Sequence, residues 1–167
     1  MAQLVKKQEP LTFRFADDGL VPNHPRWPML VYPGAVQLPD DADPAAVFED
    51  IFAANGWGDS WRNGIYGFVH YHSRIHEVLG IARGVAEVRF GGDKGKVLEV
   101  KAGDVAVLPA GTGHQRLSAS ADLLVVGAYP PLHMTCAGAR SSTPRRCAPS
   151  RLSAGRTRIR SMATARY

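Results

Sequence analysis

Apolar and polar positions alternate from Val85 to Phe90, with Ala86, Val88 and Phe90 on one face and Glu87 and Arg89 on the other. That is the two-residue period of a half-buried strand. Short apolar runs at Met29 to Tyr32, Val97 to Val100, Val105 to Leu108 and Leu123 to Val126 predict further strands, and Thr12 to Phe15 alternates like a short one. Turn signals separate them: Asp17-Asp18-Gly19, Pro33-Gly34, Gly91-Gly92-Asp93 and Gly103-Asp104. Helical spacing occurs once, where Val47, Phe48, Ile51 and Phe52 form one stripe within residues 44 to 55. Asp43 is suited to the N-cap, Pro44 to the first helical position and Asn55-Gly56 to the stop. Before that helix, residues 21 to 28 carry three prolines and read as an extended wrapping arm. Many short strands with one helix indicate an all-β protein, an antiparallel barrel or jelly roll.

Composition adds a boundary to this picture. A chain of 167 residues with 45% hydrophobic content can bury one core of ordinary size. The formal charge of +5 suggests a basic protein until its distribution is read. Residues 131 to 167 hold eight of the twenty Lys and Arg and none of the fifteen Asp and Glu, so residues 1 to 130 carry a net −3. The body therefore gives no reason to expect a nucleic-acid partner. Cys136 and Cys147 also lie in the tail, which leaves the body without a disulfide framework or a cysteine metal site. No stretch approaches a membrane span, and Lys6, Lys7 and Glu9 near the start, with no apolar run of signal-peptide length, point to the cytoplasm. The organisation expected is a polar leader at 1–11, a domain at 12–130 and a basic tail at 131–167 that reads as disordered.

Two glycine-punctuated histidine clusters carry the chemistry. Gly64, His70, His72, Glu77 and Gly84 read G-x5-H-x-H-x4-E-x6-G, and Gly103, Pro109, Gly111 and His114 read G-x5-P-x-G-x2-H. On a strand, side chains at i and i+2 leave the same face about 6 to 7 Å apart, so His70 and His72 can grip one ion. Four residues after His72 suffice to turn a corner and return a carboxylate to it. His76 shares the parity of His70 and His72 and precedes Glu77 directly, so either residue could be the fourth ligand. His114, after a glycine-rich loop, closes the set. Three histidines and a carboxylate leave a six-coordinate metal two open positions, which suits Fe(II), Mn(II) or Ni(II) and admits Zn(II) or Cu(II) by affinity. Tyr66 and Phe68 share the histidines' parity and are expected along the same cavity, where the Tyr66 phenol could donate to a bound oxygen. Tyr66 and His76 are the pocket candidates for a catalytic role; no other catalytic residue is indicated.

Both clusters resemble the two halves of a cupin metal site. The runs FADDGLVPNHP, DPAAVFEDIFAANGW, WRNGIYGFVHYHSRIHEVLG and AGDVAVLPAGTGH narrow the likeness to YjlB-type single-domain bacterial cupins over roughly residues 12 to 130. The resemblance implies a double-stranded β-helix, a divalent metal at His70, His72, Glu77 and His114, a small-molecule ligand and a homodimer. It favours Glu77 over His76, because in cupins with the four-residue spacer the glutamate binds. It departs at Ser118, where cupins usually carry an asparagine that supports the loop without touching metal. It stops at Pro130. In GC-rich codons the ending RTRIRSMATARY, read two bases over, gives DADPIHGDGPL, which resembles how such cupins end, so a frameshift is expected there.

Two function classes follow. One is a metal-dependent small-molecule dioxygenase or isomerase; the other is a non-catalytic module that binds a metabolite or a metal. The fold hosts both and does not choose. A homodimer is also expected from the proline-rich arm, which in this superfamily commonly crosses to a neighbour.

Overall fold

Two β-sheets face each other across the main core. The computed structural model describes residues 4 to 131 and the backbone of Arg160 and Ser161. In chain order the elements are β1 (Leu11–Phe13), β2 (Met29–Tyr32), α1 (Pro44–Ala54), β3 (Gly58–Asn63), β4 (His70–Tyr71) and β5 (Glu77–Arg83). They continue with β6 (Val85–Phe90), β7 (Lys96–Lys101), β8 (Val105–Leu108), β9 (His114–Ala119), β10 (Leu124–Tyr129) and β11 (Arg160–Ser161). The larger sheet runs β1-β2-β8-β5-β10-β3 and the smaller β11-β4-β9-β6-β7. Every pairing is antiparallel except that of β11 with β4. This is the jelly-roll barrel expected from the strand pattern.

Side-chain alternation sorts the larger sheet into two faces. Met29, Val31, Leu79, Ile81, Ala106, Leu108 and Val125 meet Ala86, Val88, Phe90 and Val100 of the smaller sheet between the layers. Val78, Ala82, Val126 and Ala128 point the other way, onto Ala45, Phe48 and Phe52 of α1. The helix begins where the sequence predicts, with the Asp43 carboxylate accepting the Ala45 N–H at 3.1 Å. Because α1 covers the outer face, β5 is buried on both sides and reads as an unbroken apolar run. Gly80 marks the closest approach, since a Cβ there would lie 2.3 Å from Phe48 Cδ1.

Several expectations change. The strand expected through Tyr66 to His72 shrinks to His70–Tyr71, and the preceding residues form a bend. Its backbone is satisfied outside the ladder: the Arg116 N–H reaches the Tyr66 carbonyl and the Gln115 amide the Gly67 carbonyl, both at 2.9 Å. The segment before the proline-rich arm pairs with its own chain. Here β1 lies on β2, Val5 bridges Val36, and the Lys6 N–H donates to the Ala35 carbonyl at 2.8 Å. The reading of the tail falls outside the described residues, apart from Pro131 and β11, a two-residue strand that composition did not predict. Among the described residues no helix is long and apolar enough to cross a membrane.

Candidate metal centre

The first glycine-histidine cluster arrives on β4 and β5, and the second on β9. Glu77 opens β5 with the parity of Leu79 and Ile81, so its side chain enters the barrel rather than the helix-covered face. His70 of β4 is the direct cross-strand partner of His114 of β9, and His114 in turn faces Phe90 of β6. His72 follows β4 by one residue, and its carbonyl accepts the Gly111 N–H at 2.7 Å. That bond ties the two clusters together. Gly111 has a φ of +91° that favours glycine, and a Cβ there would lie 3.0 Å from the Asn23 carbonyl.

Three of these side chains converge. His72, Glu77 and His114 each offer one ligand atom, all within 4.8 Å of one another, at exposures of only 7%, 2% and 3%. His72 Nε2 lies 3.3 Å from Glu77 Oε1, and His114 Nε2 lies 3.4 Å from Glu77 Oε2. His114 Nδ1 is 3.4 Å from the Thr112 carbonyl, which can only accept. The bond puts the proton on Nδ1 and leaves the Nε2 lone pair toward Glu77. Glu77 Oε2 has no hydrogen-bond partner, alone among the buried side-chain polar atoms of the described residues. An anionic oxygen facing an imidazole lone pair in a buried site is the arrangement a cation satisfies, so the residues fit a divalent metal.

The electrostatics agree with that fit. Burial pushes the His114 imidazole down to about 3, with His70 adding to the effect. Burial also lowers His70. For Glu77, burial works upward, but hydrogen bonds from His72 and Tyr129 and the neighbouring imidazoles hold the carboxyl below its ordinary range. A carboxylate with the neutral His114 imidazole beside it is the protonation state that metal ligands take.

The other expected residues take different places. His70 is buried with its ring centroid 3.9 Å from that of His114 and 6.3 Å from that of His72, and it stands outside the group of three. Its Nδ1 lies 3.3 Å from the Phe68 carbonyl, so its Nε2 also keeps a lone pair. His76 turns out of the barrel: Nδ1 accepts the Ala110 N–H at 2.9 Å and the ring tilts against Trp27 at 5.1 Å. It belongs to a surface cluster with His24, itself stacked on Trp27 at 4.8 Å. Tyr66 and Phe68 stack on each other at 4.9 Å and border His70, but at 37% and 41% exposure they flank the site rather than fill it. The bend in place of a strand puts them there. Ser118 donates to Glu87 Oε2 at 2.8 Å, four residues along β9 from His114.

Two further residues belong to the site without having been singled out for it. Tyr129, at the end of β10, hydrogen-bonds the Glu77 carboxylate and places its ring edge-on against His72 at 5.3 Å. Trp61 of β3 donates from Nε1 to the Tyr129 hydroxyl at 3.0 Å. Parity held the signal, because Val125 and Tyr129 fall on one face of β10, but the expected strand stopped at Val126.

No protein-family model matches the chain. The uncharacterised protein YjlB of Bacillus subtilis is 43% identical over 124 residues, covering 74% of this chain and 72% of that protein. Among solved structures, an acireductone dioxygenase from Bacillus anthracis with cadmium in its active centre is 19% identical with a TM-score of 0.40, over 57% of this chain and 67% of that one. A DUF861 family protein from Thermotoga maritima is also 19% identical, with a TM-score of 0.33, over 52% of this chain and 92% of that one.

Proposed function

Because the chain belongs to the YjlB family of cupins, we propose that it holds one divalent transition metal in its barrel, through His70, His72, Glu77 and His114, and acts on a small molecule there. The observation that supports this reading is the Glu77 Oε2 atom, buried, without a hydrogen-bond partner and 3.4 Å from His114 Nε2. Imidazole with one carboxylate favours Fe(II), Mn(II) or Ni(II), with Zn(II) or Cu(II) next. Such an ion supplies Lewis acidity and, for iron, redox capacity, the chemistry of a small-molecule dioxygenase or isomerase. The chain's own contribution is to keep the ligands neutral or anionic as required: the Thr112 and Phe68 carbonyls fix the proton of His114 and His70 on Nδ1. Tyr66, partly exposed and 5.1 Å from His70 by ring centroid, is the polar group we assign to meeting a substrate.

A non-catalytic binding module is the second reading, favoured by the low exposure of the three converging ligands. Elemental analysis of protein purified without a metal-binding tag, then O2 consumption with small thiols, diketones and sugar acids, separates the two. Turnover with any of them supports the enzyme. Stoichiometric metal without turnover supports the binding module, and full metal retention in both His72→Ala and His114→Ala overturns the centre itself.

The reading extends to a cytoplasmic homodimer. Neither cysteine lies in the body, and β3, mostly exposed, ends the order of the larger sheet. Light scattering that gave a monomer mass would remove the dimer. The chain beyond Pro130 we read as translated out of frame, and resequencing the gene segment for residues 131 to 167 tests it; an unaltered frame would refute it.

A further inference from the structure

We infer that Tyr129 is a positioning residue of the metal centre: oriented by Trp61, its hydroxyl holds Glu77 so that one carboxylate oxygen is left unpaired to face His114. The inference rests on the metal-binding reading and adds to it a residue from a strand that supplies no ligand.

Backbone register brings these groups together. Ala128 of β10 pairs with Val78 of β5, so the next position sets Tyr129 opposite Glu77. On the other side of β10, Gly127 pairs with Trp61 and Tyr129 with Gly58, a shift that leaves an extra residue in β3, where Asp59 adopts a φ of +49°. Gly127 is what lets the tryptophan lie across β10, since a Cβ there would fall 2.1 Å from indole carbons of Trp61. The indole thus passes over one strand to reach the Tyr129 oxygen at 3.0 Å.

The hydrogen-bond chain has a single direction. Indole Nε1–H is donor only, so the phenol oxygen accepts from Trp61 and its own proton points elsewhere. The Glu77 carboxyl group, which hydrogen-bonds the phenol, receives it on an acceptor oxygen. Because Oε2 has no hydrogen-bond partner, the phenol's bond falls to Oε1, on the side of His72, and Oε2 stays unpaired beside His114. Tyr129 also packs its ring edge against His72. One side chain therefore restrains two of the three converging groups.

Metal-free full-length protein reloaded with Co(II) tests this, with affinity read by competition against a chromogenic chelator and geometry by the visible spectrum of the bound Co(II). Tyr129→Phe is expected to weaken Co(II) binding about 10- to 100-fold, the usual effect of removing a group that orients a ligand, and to shift the spectrum. Trp61→Phe should weaken it less, and should add nothing once Tyr129 is already Phe. Wild-type affinity and spectrum in Tyr129→Phe, alongside loss of Co(II) in Glu77→Gln, would overturn the positioning role and leave the centre standing. Wild-type Co(II) binding in Glu77→Gln itself would overturn both. Should Tyr129→Phe fail to fold, Trp61→Phe decides alone: reduced affinity with a shifted spectrum supports the role, and unchanged values refute it.

Discussion

His114 Nε2 and Glu77 Oε2 face each other at 3.4 Å with no proton assigned to either atom. A carboxylate and an imidazole lone pair at that separation, both buried, repel unless a cation lies between them. The metal-free barrel therefore carries an electrostatic penalty that an ion removes.

Metal removal should lower the melting temperature. A ligand that binds only the folded state at a thousand times its Kd stabilises by about 4 kcal/mol, roughly 10 °C for a domain of this size. Chelator-stripped protein should melt lower by an amount of that order and recover on addition of Mn(II) or Fe(II). Identical melting curves with and without metal would remove the site from the fold's energetics.

Substitution of the histidines should not be uniform. His72 and His114 belong to the group within 4.8 Å, whereas His70 packs its ring on His114 from outside that group. His114→Ala and His72→Ala should each lose nearly all metal on dialysis, and His70→Ala should retain a measurable fraction. Equal loss in all three, measured as metal per protein, would make His70 the equal of the others.

Gly80→Ala should destabilise the barrel. Its new methyl would meet the ring of Phe48, which is fully buried against the sheet and has nowhere to move. Overpacking of this kind costs about 1 to 3 kcal/mol, and Phe48→Ala about 3 to 5. The double variant should be more stable than the sum implies, because the methyl enters the space the ring leaves. Urea denaturation of the four proteins measures the coupling, and strict additivity would argue against the contact.

What the sequence made legible follows from how many faces of each element are buried. β6, with one face on the core, alternates as expected, and α1 declares itself through Asp43, Pro44 and its Phe48 stripe. β5 was not resolved as a strand because α1 and the barrel bury both its faces and erase the alternation. β3 and β9 were missed for the opposite reason: both are mostly exposed, so GDSWRN and HQRLSA have no apolar period to read. Spacing offers the ligand candidates and the cupin resemblance favours Glu77 over His76, but Tyr129 depends on the register of β10 against β5, which local sequence does not encode. Similarly, the bend at Tyr66 to Phe68 is held by Gln115 and Arg116, far along the chain.

Asn23 is a clasp that local pattern could not reveal. Buried at a φ of +52°, it donates to the carbonyls of Ala16 at 2.8 Å and Gly91 at 3.0 Å, and its Oδ1 accepts the Gly113 N–H at 3.3 Å. Asparagine tolerates that backbone better than most residues. Asn23→Ala would leave these groups unpaired, at about 1 to 3 kcal/mol, and loosen the residue next to His114. Denaturant melts should show the loss and metal titration a weaker site. A variant with unchanged stability would mean that water replaces the amide.

Stability of the metal-free protein should fall as pH drops below neutrality. Burial takes the His114 imidazole from an ordinary 6.5 down to about 3, and His70 moves in the same direction. Between those values the unfolded chain binds protons that the folded chain excludes, so acid favours unfolding, by about 1.4 kcal/mol per pH unit for each proton at full effect. Glu77, held below its ordinary range, acts with the same sign at lower pH: its contribution is present above its unfolded value of 4.5 and is lost as pH falls through the folded one. The curve should therefore be flat above about pH 7 and decline from about 6.5 downward, first through the histidines and then through the carboxylate. His114→Ala should flatten the first part of that decline by about one proton. Urea midpoints of metal-free protein between pH 7.5 and 5 would read it directly. A wild-type stability unchanged over that range would mean that the folded chain takes up its protons as readily as the unfolded one, and that these imidazoles are not held neutral by their burial.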